Sequence, residues 1–257
     1  MSVGLAVIVA IVFAALAGWA FTQRSEAITA KVVAQERLDA IQTSLQAMLT
    51  KYIDYLSGIG FKTDTIPIHI DEKVVNAWYD GKDIFINPQF SGDVDVPRRE
   101  YTQHVLSQNT LTNAGSQNQL RQHIESALAD YFPCSFADRP IFGEIVAAVF
   151  NLPKPYVRNL NNSRRFDEEP DSRGSVTLDR GEVWGGAFWE IRSVLGRDVA
   201  DRLLARAWQS MAWPIAEQGT AGKFIDALLV NAGEFASDRQ VAEVRKIFRQ
   251  RRFPIPD

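Results

Sequence analysis

The chain has 257 residues, a formal net charge of −3, and is 46% apolar and 23% charged. That balance excludes a disordered chain, a collagen-like repeat and a polytopic membrane protein, and it lacks the basic excess of a nucleic-acid binder. One cysteine, Cys134, excludes an internal disulfide framework and a cysteine-built zinc site, and any histidine metal site must draw on His69, His104 and His123.

Residues 1–23 contain no charged side chain, and residues 3–21 are apolar enough to cross a bilayer as a helix. A cleaved signal peptide is the rival reading. Ala15-Leu16-Ala17 resembles a cleavage site, but no Lys or Arg precedes the apolar run. The expectation is a retained single-pass anchor. Ala6, Ala10, Ala14 and Gly18 form a small-residue stripe, which is either a helix-packing face or the ordinary abundance of small residues in such helices. Arg24, Lys31 and Arg37 follow the span, which by charge places the bulk of the chain in the cytoplasm. Glu26 and Glu36 dilute that signal.

Residues 24–57 read as a long helix. Leu38, Ile41, Leu45, Met48, Tyr52 and Tyr55 form a seam within residues 34–55. The seam serves either a stalk paired with another chain or a helix laid on the chain's own fold. Ser57-Gly58-Ile59-Gly60 ends it.

Residues 58–257 read as one α+β domain, mostly helical with a small sheet. Strands are expected at residues 66–70 and 83–87, the second after the turn Asp80-Gly81-Lys82. Helices are expected from Pro97 onward, with Asp95 or Val96 just outside, and then at 117–132, 140–150, 181–195, 198–211, 222–230 and 238–249. Residues 152–179, with Pro, Gly and many charges, read as a long surface loop. Trp184, Phe188 and Ile191 share a helix face and read as core, as do Trp208 and Met211. Cys134 has no basic neighbour except Arg139, which argues against a nucleophile. Asn161-Asn162-Ser163 is a glycosylation sequon if the chain meets a eukaryotic secretory route. Arg245, Lys246, Arg249, Arg251 and Arg252 read as a solvated basic helix end.

Arg98-Arg99-Glu100-Tyr101-Thr102-Gln103-His104-Val105-Leu106 resembles the zinc helix of gluzincin metallopeptidases, the thermolysin-like and fungalysin-like group, whose helix reads His-Glu-x-x-His. Three further segments fit the family in the same order. Trp78-Tyr79-Asp80 with Ile84-Phe85-Ile86 looks like the upstream strand, residues 127–132 look like the second ligand helix, and residues 181–189 look like a later helix with Gly-Glu-x-Trp. The resemblance implies a zincin-like fold over residues 66–213 from which the zinc site has been lost. Arg99 and Gln103 stand at the two histidine positions and Ser126 at the third-ligand position, while Glu100 remains at the general-base position. A guanidinium has no lone pair to give a metal, and a neutral amide oxygen is a poor zinc ligand. Without metal, the simpler role of Glu100 is an ion pair with Arg99. Asp130, which by resemblance orients a ligand, reads as a cap or a partner for nearby backbone.

Glu100, His104, His123 and Glu125 can be drawn as a displaced site, but that site would use the general base as a ligand and turn the helix out of register. Otherwise His104 and His123 read as surface or half-buried residues. The functional expectation is a membrane-anchored, catalytically inactive binding or scaffolding subunit without cofactor. Its partners are the membrane and a protein or membrane complex met through the anchor, the seam or the old cleft, and not nucleic acid. The alternative is an active membrane-bound zinc metallopeptidase with displaced ligands. The family resemblance, against the charge rule, places the domain outside the cytoplasm.

Overall fold

The computed structural model describes residues 3–90, 92–111, 118–168, 176–215 and 219–255, apart from the side chains of residues 3–15, 17 and 176–180. The chain divides into two units, residues 1–44 and 45–257. Helix α1 (Val3–Gly58) contributes to both. The predicted span at 1–23 falls largely on side chains outside the described ones. Among the described residues no helix is long and apolar enough to cross a membrane. In the first unit Trp19, Phe21, Ile28 and Val32 are exposed, and threonines bond the carbonyl one turn back, as Thr22 does to Gly18.

In the second unit α1 behaves as a packing helix. Leu45, Leu49, Tyr52 and Leu56, spaced four, three and four apart, are fully buried. Tyr52 Oη lies 2.6 Å from Thr102 Oγ1. Of the expected seam from Leu45 on, Leu45 and Tyr52 lie in this core, while Met48 and Tyr55 are half-buried and Leu49 and Leu56 take the buried places beside them, so this stretch packs on the chain's own fold.

A three-stranded sheet follows: β1 (Ile68–Ile70), β2 (Ala77–Tyr79) and β3 (Ile84–Ile86), in the order β1-β3-β2. β1 runs parallel to β3, and β2 pairs with β3 as a hairpin. The hairpin turn has the predicted chemistry. Asp80 Oδ1 accepts from the Lys82 and Asp83 amides at 2.8 and 2.7 Å, and Gly81 takes the positive φ of 101° that side chains resist. β2 lies at the sheet edge.

The helices are α2 (Asp95–Gln108), α3 (Gln119–Ala137), α4 (Glu144–Val149), α5 (Val176–Leu195), α6 (Arg197–Ser210), α7 (Thr220–Phe235) and α8 (Asp238–Gln250). α3 is the central helix and packs against α2 and α5. The expected core face of α5 is confirmed: Trp184, Phe188 and Ile191 are buried, and Trp184 meets Phe224, Phe248 and Phe253. Trp208 and Met211 are buried as expected.

Several boundaries differ from expectation. α2 starts at Asp95, so Pro97 lies inside the first turn, where its missing N–H leaves no helical bond unmade. α3 continues through Pro133 to Ala137. The expected helix at 140–150 is divided by Gly143 (φ 74°) into β4 (Ile141–Phe142) and α4. The segment read as a loop over 152–179 contains β5 (Arg158–Asn159), which pairs with β4, and the start of α5. Arg251 is not a solvated helix end. It is buried and donates from Nε to Glu190 (2.9 Å) and from Nη1 to the Arg164 carbonyl (3.0 Å). Arg252 pairs with Asp167 at 2.6 Å.

One buried carboxylate ties three helices together. Asp201 on α6 accepts from Tyr55 Oη of α1 (2.7 Å), Tyr131 Oη of α3 (2.6 Å) and Ser135 Oγ of α3 (2.7 Å). Asp201→Ala leaves these hydroxyls without their acceptor. At about 1–3 kcal/mol for each buried unsatisfied group, the variant should lose about 3 kcal/mol or more in urea unfolding.

Asp95, in the first turn of α2, is buried beside Asp93 and paired with Arg139. Burial pushes its carboxyl up from 3.8 to about 6. The native state therefore holds this proton more tightly than the unfolded chain does. Asp95 subtracts stability as pH rises from about 4 to about 6, by up to about 3 kcal/mol. Unfolding free energies of wild type and Asp95→Asn, measured from pH 4 to 7, should diverge over that window with the wild type losing ground.

Candidate functional site

α2 and α3 face each other through charged side chains. Arg99 and Gln103 lie one turn apart on α2. Arg99 Nε donates to Asp130 Oδ1 of α3 at 2.8 Å, and Arg99 Nη1 donates to Glu100 Oε1 at 2.9 Å. The Gln103 amide, oriented by this network, accepts from Arg99 Nη1 (2.9 Å) and donates to Glu100 Oε2 (3.1 Å). Arg158 on β5 brings its Nε within 3.6 Å of Asp130 Oδ2. Four of the residues singled out in the sequence, Arg99, Glu100, Gln103 and Asp130, thus form one cluster. The expected Arg99–Glu100 ion pair is present. Asp130 is not a local backbone cap but the anchor of Arg99.

Burial raises the Glu100 carboxyl above its usual range, against the pull of Arg99. Burial also works to lower the Arg99 guanidinium, but Asp130 and Glu100 outweigh it and hold it above its ordinary value. Glu125 is likewise raised by burial, opposed by Arg121 and Arg99. The cluster forms one wall of a cleft of about 110 Å³. Asn76, beside β2, and the apolar Val96, Phe142, Val146 and Val157 complete it. Sequence reasoning missed Arg158 and Asn76. Both sit outside the helical spacing that organised the reading, and Arg158 falls in the stretch read as loop.

Ser126 takes a different direction. It is buried, and its Oγ lies 3.0 Å from where a Cβ on Gly181 would stand, so it lets α5 approach closely. Its hydroxyl has no hydrogen-bond partner among the described residues.

The displaced set Glu100, His104, His123 and Glu125 is not assembled. His104 is buried rather than half-exposed. Its Nε2 lies 2.6 Å from Asp64 Oδ1 and its Nδ1 lies 2.8 Å from Tyr79 Oη. Both ring nitrogens are therefore engaged away from Glu100. His123 is also buried. Among the described residues, no group of three or more His, Cys, Asp or Glu side chains is placed to hold a metal. Arg99, on the same helix face as Gln103, is a fixed cation bonded to Asp130 and has no lone pair to offer a metal. Cys134 is buried, and burial raises its thiol well above the usual value, which removes the thiolate a nucleophile needs.

No protein-family model matches the chain, and no curated protein matches it.

Arg99→Met leaves Asp130 and Glu100 as buried carboxylates without their shared cation. We expect a loss of about 3–5 kcal/mol in urea unfolding. Arg99→Lys, which keeps the charge but not the fork, should fall between the variant and wild type.

Proposed function

We propose that the chain is a catalytically inactive, metallopeptidase-like binding protein, anchored to a membrane by its apolar N-terminal segment. In this reading it holds an extended segment of a protein partner in the cleft beside α2. The observation that carries it is the Arg99–Asp130 pair. A permanently charged guanidinium occupies the place where the gluzincin resemblance calls for the first metal ligand, and it is held there by Asp130. Glu100, which would act on a metal-bound water, is committed to Arg99 and Gln103 instead.

The cleft supports a binding role. Among the described strands β2 pairs only with β3, and its Tyr79 backbone already bonds Glu100 of α2, so an added strand would meet the part of β2 nearer Asn76. Val75, just before β2, and Trp78, whose ring packs on Phe85, are exposed, and Asn76 between them in sequence lines the cleft. An extended segment laid there has backbone partners on one side and the apolar Phe142 and Val146 on the other.

The test compares three proteins: wild type, Glu100→Gln, and the triple variant Arg99→His, Gln103→His, Ser126→Glu. Wild type and Glu100→Gln should show no zinc-dependent peptide cleavage and should complement a deletion strain equally. General-base loss in a working enzyme would instead cost roughly 10²–10⁴-fold. Glu100 is buried, so its substitution should cost about 1–2 kcal/mol of stability rather than the few tenths of an exposed pair. In the triple variant two imidazoles lie one turn apart on α2, and the Ser126→Glu side chain has to turn from Gly181 toward α2 to supply the third ligand; that arrangement should bind zinc tightly. Zinc-dependent cleavage by wild type that disappears in Glu100→Gln overturns the inactive reading. A folded triple variant that ignores zinc overturns the metallopeptidase-like alignment.

A further inference from the structure

A second, larger concavity lies elsewhere in the folded unit and shares no lining residue with the Arg99 cleft. Its volume is about 580 Å³, within the range of small-molecule sites, about 300–1,000 Å³. The floor is one face of α5. Gly186, Trp189, Glu190 and Ser193 recur there at spacings of three, one and three. The walls are the segment from Leu160 to Arg165 and the end of α8.

The concavity is built, not incidental. Asn162 Nδ2 donates to the carbonyls of Asn159 (2.9 Å) and Glu182 (3.1 Å). Arg251 donates to Glu190, to the Asn162 side chain and carbonyl, and to the Arg164 carbonyl, while the Phe166 amide donates to the Arg251 carbonyl at 2.8 Å. Gly186 makes the space. A Cβ there would sit 2.5 Å from Asn162 Oδ1 and 2.8 Å from Arg251 Nη1. Arg192 stacks on the Trp189 ring, 4.6 Å from its centroid, and fixes it. A wall fixed in this way has little ordering entropy left to lose on binding.

The lining selects a ligand class. Arg251 is engaged by Glu190 and by the 162–164 segment, so among the lining residues only the exposed Arg165 is left to meet a phosphate or polyanion, and a single cation at the rim is a weak anion site. Arg165 and Arg251 disfavour a cationic ligand. The amide and hydroxyl groups of Asn161, Ser163 and Gln250 each offer donors and acceptors together. Trp189 is half-buried and adds an amphipathic ring. Alternating hydroxyls and an apolar C–H face are the complement of that surface. We propose that the pocket floored by Trp189 and walled by Asn161 and Gln250 is a binding site for a neutral saccharide.

The test uses the full chain in a detergent without a sugar headgroup. One arm titrates free cellobiose, maltose and N,N′-diacetylchitobiose by calorimetry and tryptophan fluorescence. The other probes immobilised neutral glycoconjugates. Sialyllactose and inorganic phosphate serve as anionic controls. Saturable binding of a neutral saccharide is expected. Binding in the first arm identifies a free sugar, and binding in the second alone identifies a carried glycan. Asn161→Ala and Gln250→Ala, at exposed side chains, should each weaken binding about tenfold without altering the unfolding midpoint, the effect of one lost hydrogen bond. Trp189→Ala should abolish binding and Trp189→Phe should restore part of it. Three results overturn the proposal: no binding in either arm, a preference for the anionic controls, or neutral-sugar binding that none of these substitutions changes.

Discussion

Helix α3 has no solvent face along residues 126–135, and the rest of the folded unit is arranged to meet that constraint. Ten consecutive buried residues cover every side of a helix with 3.6 residues per turn. Its apolar residues have neighbours on all sides, but its polar ones have no water to fall back on. Each must be matched by a side chain from another element. Tyr131 and Ser135 meet Asp201 of α6, and Asp201 also takes Tyr55 of α1. Asp130 meets Arg99 of α2 and Arg158 of β5. The polar pairs on α3 therefore fix which helices surround it, while the aromatic cluster around Trp184 packs the core beside α5.

The same constraint explains what the sequence could and could not reveal. Helices with one buried face, such as α6 and the seam of α1 from Leu45, carry a period that can be read directly. α3 has a weaker contrast between faces, and its Pro133 reads as a stop although the helix passes through it. The Arg99–Glu100 pair is legible because the residues adjoin. Asp130 lies 31 residues from Arg99, and nothing in spacing joins them. Only the resemblance to a second ligand helix placed Asp130 near the site. Arg158 had no such pointer. His104 read as a surface or half-buried residue because its partner Asp64 lies 40 residues away. The basic C-terminal run was misread for a related reason. Five cations in eight positions look like a solvated face until Glu190 and the carbonyls of the 162–164 segment are placed around Arg251.

Ser126 departs from this pattern and is informative for that reason. One turn before Asp130, it faces Gly181 of α5 rather than the charged cluster. A longer side chain at this position has to displace α5 or turn toward α2. Ser and Gly together therefore set the close approach of α3 and α5. Ser126 is thus part of helix packing, while Arg99 and Gln103 are part of an ion-pair network.

Charge balance argues that the cluster is complete as it stands. Asp130 and Glu100 supply two potential negative charges, and Arg99 and Arg158 supply two positive ones, within one small cleft. A dication placed among them would have its attraction to the carboxylates opposed by two guanidiniums at similar range. At low effective dielectric such repulsion costs several kcal/mol. The same balance suits a neutral guest. An extended backbone carries no net charge and brings amide groups that can bond to a β2 edge. Its side chains can enter the apolar part of the cleft at Phe142 and Val146 without disturbing the ion pairs. Arg99 thus does two things through one set of contacts. It satisfies the buried carboxylate of α3, and under the binding role proposed above it would let an uncharged chain segment enter without displacing an ion.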